Sequence, residues 1–259
     1  VNSAVQAAKQ QLNLVLSDQE EDSSPPTAEE LDLIAKVKDA VKDELAKREA
    51  DGKGNPEELF GEWALTRVLR GCGGDMTKSL EWVQRLLENM DVLKVDDLYR
   101  DMTQSLVENP EIPFGSAEML KYRAEIEPYV NEIFHYPKPS TSGDLVNYFA
   151  FCDVDSQGIL DNVEWEHFVQ YHRSATLLRV IVLDRLSRQT NRMAKTVWIG
   201  DLKGCPLAHL KNPDFSERFS ADIGKFQEIV SAEVMRRMYI INGPWWAVRL
   251  WKTFQRVIP

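Results

Sequence analysis

Between Leu31 and Leu45 the apolar positions Leu31, Ile34, Val37, Val41 and Leu45 fall at steps of three and four residues, the period of one helix face. Thr27-Ala-Glu-Glu30 stands just ahead of them. It has the form of a capping box, in which the Thr hydroxyl accepts the amide three residues on and the Glu reaches back. The spacing predicts a helix to about Ala50, closed by Asp51-Gly52 and Gly54-Asn55-Pro56. A second helical stretch, Glu57–Arg70, is broken by Gly71-Cys72-Gly73-Gly74. Asp75 then offers an N-cap to a helix running to about Asn89, with Leu80, Val83, Leu86 and Leu87 on one face. Asp96–Val107 and Ala117–Phe134 read as two more helices, and Pro137–Gly143 has loop composition.

Beyond that loop the period changes. Leu145–Phe151 (LVNYFAF) is a β-branched and aromatic run, and Thr196–Asp201 and Met238–Asn242 are shorter ones, all strand candidates. Helical patterns over 162–190 and 215–235 separate them, and Gly243-Pro244 opens a last helix with Pro at its first position. Strand, helix, strand in that order with room for crossovers predicts parallel pairing. The expected class is therefore α/β: a helical N-terminal half packed on a small, mostly parallel sheet flanked by helices. Residues 1–16 carry loose helical spacing at Val5, Leu12 and Val15, and 17–27 are acidic and Pro-paired like a linker. Three regions follow: an arm and linker over 1–27, a helical region over 28–136 and an α/β core over 137–259.

Composition narrows the function. The chain of 259 residues is 43% hydrophobic and 28% charged, and a compact fold of that size removes roughly 70–75% of its unfolded surface from water, enough for a core or an internal cavity. Cys72, Cys152 and Cys205 are odd in number and far apart, which argues against a disulfide framework and against close-spaced zinc patterns. The net charge of −10 argues against nucleic acid as the main partner. Acids dominate between Lys9 and Lys36, whereas after Glu233 only bases occur: Arg236, Arg237, Arg249, Lys252 and Arg256. That basic end reads either as solvated surface or as a contact for anionic lipid headgroups or an acidic partner protein. No run of 18 apolar residues predicts a transmembrane span, and Val1 opens no signal-peptide pattern. The expected location is cytoplasmic or peripheral to a membrane, with an organelle after transit-peptide removal left open.

Catalytic chemistry has no visible residues. Asp153-Val-Asp155-Ser-Gln157-Gly158-Ile-Leu160-Asp161-Asn-Val-Glu164 has the acid and Gly spacing of an EF-hand calcium loop, but it is single and follows a strand pattern, so a polar turn is the competing reading. Glu164 and His167 have the Glu-x-x-His spacing of carboxylate-bridged metal bundles without a second copy. No GxSxG, P-loop or strand-linked GxGxxG is present. Neither a metal nor a cofactor is expected.

Leu65-Thr-Arg-Val-Leu-Arg-Gly-Cys-Gly-Gly-Asp-Met-Thr-Lys-Ser79 resembles the helix–turn–helix signature that opens the CRAL-TRIO (Sec14-like) lipid-binding family, with Leu65, Arg67, Leu69, Arg70, Asp75 and Lys78 in register. Gly143–Phe151, Asp201-Leu-Lys-Gly204, and Tyr239-Ile-Ile-Asn-Gly-Pro244 followed by Leu250-Trp251 resemble the family's first core strand, its DLKG strand end and its IINAP segment, in the same order. The resemblance spans about 60–259. It implies a non-enzymatic carrier whose sheet floors an apolar cavity for one phospholipid or other hydrophobic molecule. By the same resemblance Thr196, Trp198, Glu233, Trp245 and Trp246 stand nearest the ligand. Glu233 matches the family's headgroup-contacting Glu, and Thr196, Trp198 and Gly200 share the strand face that looks into the cavity.

The chain departs from the family pattern at three places. Cys72 and Gly73 stand where phosphatidylinositol-binding members carry a basic pair, Trp198 occupies a cavity-facing position, and the family's closing strand falls beyond Pro259. The last two departures, with the long N-terminal arm and acidic linker, support an alternative expectation, a ligand-free scaffold or accessory subunit of a larger assembly, membrane-associated or not.

Overall fold

The computed structural model describes residues 14–15, 23–110, 115–133, 139–205 and 212–244. The N-terminal half is a stack of helices: α1 Ala28–Ala40, α2 Lys42–Ala50, α3 Glu57–Phe60, α4 Glu62–Gly71, α5 Met76–Asn89 and α6 Val95–Glu108. The capping box forms, with the Thr27 amide donating to Glu30 Oε2 at 2.8 Å and the Glu30 amide to Thr27 Oγ1 at 3.2 Å. The helix expected over 28–50 is broken once, at Val41, whose ψ of 17° lies outside the helical range. Ile34, Val37, Val41, Leu65 and Val83 close a small core between α1, α4 and α5, the apolar steps of three and four having put them on facing stripes.

The segment Ala117–Phe134, expected as one helix, is instead a chain of short turns. A 3₁₀ turn at Ala117–Met119 leads to α7, Arg123–Ile126, then to a second 3₁₀ turn at Glu127–Tyr129 and the edge strand β2, Glu132–Ile133. Tyr122 sits in the left-handed region (φ 64°), and Pro128 offers no amide to a helical ladder. Both interrupt a pattern that is helical in its apolar spacing alone.

Among the described residues the sheet contains five strands in the order β1–β5–β4–β3–β2, where β1 is Leu14–Val15, β3 Leu145–Ala150, β4 Thr196–Asp201 and β5 Met235–Ile241. The centre is parallel: Leu145 to Ala150 pair with Thr196 to Asp201, and Val197 to Asp201 pair with Arg237 to Ile241. Both edges are antiparallel. Leu14–Val15, read as part of a helical arm, pairs with Ile240 and Tyr239 and occupies amides and carbonyls that β5 would otherwise leave open. α8 (Ser156–Asn162) and the 26-residue α9 (Trp165–Thr190) carry the chain from β3 to β4. α10 (Pro213–Phe219), a π-helical turn at Ser220–Gly224 and α11 (Lys225–Val230) carry it from β4 to β5.

The main core lies between α9 and the surrounding helices, where Phe168, Leu177, Leu178, Ile181, Ile223 and Phe226 are sealed from solvent. The helix expected over 215–235 stops at Val230 because Glu233 adopts a left-handed conformation (φ 48°) and β5 begins at Met235. The chain is thus an α/β fold, with a helical N-terminal half and a small sheet whose three central strands are parallel.

Candidate functional site

α9, α10 and the residues after β3 line, together with the sheet, a half-open hollow of about 240 Å³. Its walls are Phe149, Phe151, Val154, Phe168, Ala175, Phe215 and Phe219, and Trp198 and Met238 enter from β4 and β5. A second hollow of about 300 Å³ lies beside it, walled by Phe149, Phe151, Val154, Phe215 and Phe219 again, together with Ser156 and Asn212. Phe149, Phe151, Phe215 and Phe219 line both hollows. Their rings interlock edge to face: Phe149 with Phe151 at 4.9 Å, Phe168 with Phe215 at 5.6 Å and Trp165 with Phe215 at 5.9 Å.

Polar groups in the first hollow are few, and its two charged ones pair with each other. The guanidinium of Arg179, from α9, lies 4.6 Å from the centroid of the Trp198 ring. The same group is 3.9 Å from the Glu132 carboxylate of β2, and both side chains are buried. Burial pushes the Glu132 carboxyl up, and the Arg179 charge pulls it back. His172, also on α9, packs on Phe168 at 4.4 Å and on Phe219 at 5.6 Å. Burial, followed by the Arg179 charge, lowers it to about 3, so the imidazole is neutral at physiological pH. Its Nε2 is sealed and has no hydrogen-bond partner among the described residues. The hollow therefore holds one cation, one anion, one neutral imidazole and the uncharged Thr176 and Gln227 within an otherwise apolar wall.

Of the residues singled out in the sequence, Trp198 lies in this wall. Thr196, two positions earlier on the same strand face, is fully buried, and its Oγ1 has no hydrogen-bond partner among the described residues. Glu233 lies at the opposite end of the strands, where Lys195 Nζ donates to its Oε2 at 3.0 Å. A Cβ added at Gly71 would stand 2.3 Å from Glu233 Cγ, so the end of α4 and the lead into β5 touch there. Trp245 and Trp246 lie outside the described residues, as do Arg249, Lys252 and Arg256 of the basic end. Arg236, from that same group, is turned inward: it pairs with the buried carboxylate of Asp144 and donates to the Met193 carbonyl at 3.2 Å.

The sequence motifs take structural places. Arg67 is buried and donates to Ser187 Oγ at 3.2 Å and to the Ala194 carbonyl at 3.0 Å, tying α4 to α9 and to the lead into β4. Arg70 grips Glu30 through two bonds of 2.7 and 2.8 Å, and Asp75 caps α5 through the amides of Thr77 and Lys78. Asp201, the first residue of DLKG, accepts from Tyr148 Oη at 2.9 Å, the Lys203 amide at 2.8 Å and Asn242 Nδ2 at 2.8 Å. One carboxylate thus fastens the ends of all three parallel strands. The EF-hand-like stretch winds into α8, where Asp155 caps the Gly158 amide at 2.8 Å and Asp153 accepts from Asn131 at 2.7 Å. A helix through the middle of that stretch replaces the open loop a calcium ion needs. Among the described residues no group of three or more His, Cys, Asp or Glu side chains is placed to hold a metal, and no helix is long and apolar enough to cross a membrane.

Sequence reasoning missed Arg179, Glu132, His172, Phe215 and Phe219 as wall residues. Arg179 and His172 belong to the 26-residue α9, whose apolar positions serve the core on one side and the hollow on the other, so spacing does not separate the two sets. No family model matches the chain, and no curated protein matches it. Among solved structures, the crystal structure of Sfh5 matches with a TM-score of 0.48 at 12% identity, over 90% of this chain and 77% of that one.

Proposed function

We propose that the protein is a non-enzymatic carrier that encloses one lipid or small hydrophobic molecule above its parallel sheet. The observation that carries the reading is the aromatic-walled hollow between α9, α10 and the sheet. Taking a methylene as about one water volume, ~30 Å³, the 240 Å³ hollow accepts about eight such groups. At ~0.8 kcal/mol each, burial contributes about 6 kcal/mol. The adjoining 300 Å³ extends the run to about eighteen groups of ~30 Å³, which is one long chain. The sequence motifs that resemble the CRAL-TRIO family support the same reading. Contact with an anionic membrane through the basic end belongs to it, as the step at which cargo is exchanged.

A fluorescence transfer assay tests the proposal: a pyrene-labelled single-chain lipid is supplied in donor vesicles and its arrival in acceptor vesicles is followed with and without protein. Transfer that rises in proportion to protein concentration supports a carrier. Transfer no faster than the spontaneous rate, over a range of chain lengths, refutes it.

A specific observation favours a second reading. Trp198, with the Arg179 guanidinium stacked on it, projects from the wall and takes up space in the hollow, as expected for a scaffold that keeps the fold and no longer takes a ligand. In that case the purified protein transfers nothing and instead forms a stable complex with a second polypeptide.

A further inference from the structure

The charges inside the hollow constrain what enters it. Arg179 and Glu132 face each other at 3.9 Å, both buried, and the Trp198 ring covers the guanidinium. The positive charge is therefore matched before any ligand arrives. A second charge brought in with a ligand finds no counter-charge of its own, and an unmatched charge in a low-dielectric space is strongly unfavourable. The remaining polar groups on the wall include the side chains of His172 and Gln227, both uncharged. A hydroxyl both donates and accepts, so it suits a neutral imidazole in either tautomer.

Volume points the same way. Together the 240 and 300 Å³ hollows have room for about eighteen water-sized groups of ~30 Å³, the size of one acyl chain rather than two. At the other end of the strands, two of the cations that a phosphate would seek are already held: Lys195 by Glu233 at 3.0 Å and Arg192 by Asp144 at 3.0 Å.

We propose that the ligand is an uncharged single-chain amphiphile ending in a hydroxyl, in preference to a fatty acid or a diacyl phospholipid. This deepens the carrier reading and rests on it.

The test is native mass spectrometry of the full chain after incubation with an equimolar mixture of hexadecanol, palmitate, dipalmitoylphosphatidylcholine and phosphatidylinositol. The expected result is one hexadecanol per chain, bound at least tenfold better than palmitate, with neither phospholipid retained. Glu132→Gln strips Arg179 of its counter-charge, so palmitate binding is expected to rise at least tenfold and overtake the alcohol. Should that variant not fold, the double variant Glu132→Gln/Arg179→Met removes both charges and is expected to keep the alcohol ahead of the acid. A natural chain that prefers palmitate or retains a phospholipid overturns the inference while leaving the carrier standing. So does a folded Glu132→Gln protein with an unchanged ranking. Retention of none of the four overturns the carrier reading itself.

Discussion

Replacing Trp198 by alanine distinguishes a wall from a plug. The indole stands on β4 with the Arg179 guanidinium 4.6 Å from its centroid, and it lines the 240 Å³ hollow. Truncation frees on the order of 100 Å³, or three to four water volumes. Left empty, that space costs about 2.4 kcal/mol at ~24 cal/mol per Å³, and the lost cation–π contact adds about 1 kcal/mol. The ligand-free variant is thus expected to be about 3 kcal/mol less stable in urea denaturation, with an unchanged slope. The same space admits about three more methylenes at ~0.8 kcal/mol each. A single-chain alcohol longer by three carbons is expected to bind the variant about 50-fold more tightly than the natural chain, and saturating amounts should return most of the lost stability. Both effects are read from the same urea curves, run with and without ligand. A variant that loses the 3 kcal/mol but regains nothing from any chain length refutes the reasoning, because the ring is then ordinary core.

Two further outcomes test the joints that hold the hollow in place. Gly71→Ala places a Cβ 2.3 Å from Glu233 Cγ and is expected to cost about 1–3 kcal/mol by overpacking. Adding Glu233→Ala should recover most of that loss, and additive effects in the double variant would show that the two do not touch. Asp144 is fully buried and accepts from Arg192 and from the Lys195 amide at 3.0 Å each. Burial pushes its carboxyl up, but these bonds and the Arg236 charge outweigh burial and hold it below the ordinary range. Its stabilisation is therefore complete above the ordinary carboxylate value and lost as pH falls through the lower folded value. Asp144→Asn should cost about 3 kcal/mol at pH 7 by stranding two arginines and flatten the acid limb of the stability–pH curve; an unchanged limb contradicts this account.

Much of the architecture was legible because local chemistry and burial agree. Thr27 and Glu30 cap α1 as their spacing demands. The β-branched and aromatic runs at Leu145, Thr196 and Tyr239 become the parallel centre of the sheet, since such side chains favour the extended, pleated backbone. β2 was illegible for the converse reason: two residues, Glu132 and Ile133, carry no alternation, and what makes them a strand is the exposed edge of β3. Alternation from Thr196 put Trp198 on one strand face, and the family resemblance implied that this face looks into a cavity. The Arg179–Glu132 pair was not legible, because 47 positions of chain separate the partners and only the packing of α9 against the sheet edge brings them together. Arg67, Arg70 and Asp75 show a different gap. They were legible as a motif, yet their partners Ser187, Glu30 and the α5 amides reveal that they brace the fold.

The central claim is that the space above the parallel strands exists to be filled by an apolar guest. Protein purified without detergent, examined by native mass spectrometry and then by organic extraction, tests it most directly. The account predicts a chain mass increased by one hydrophobic molecule, released by extraction and lowering the denaturation midpoint when removed. Repeated recovery of the bare chain mass, with a midpoint that extraction does not move, would contradict it.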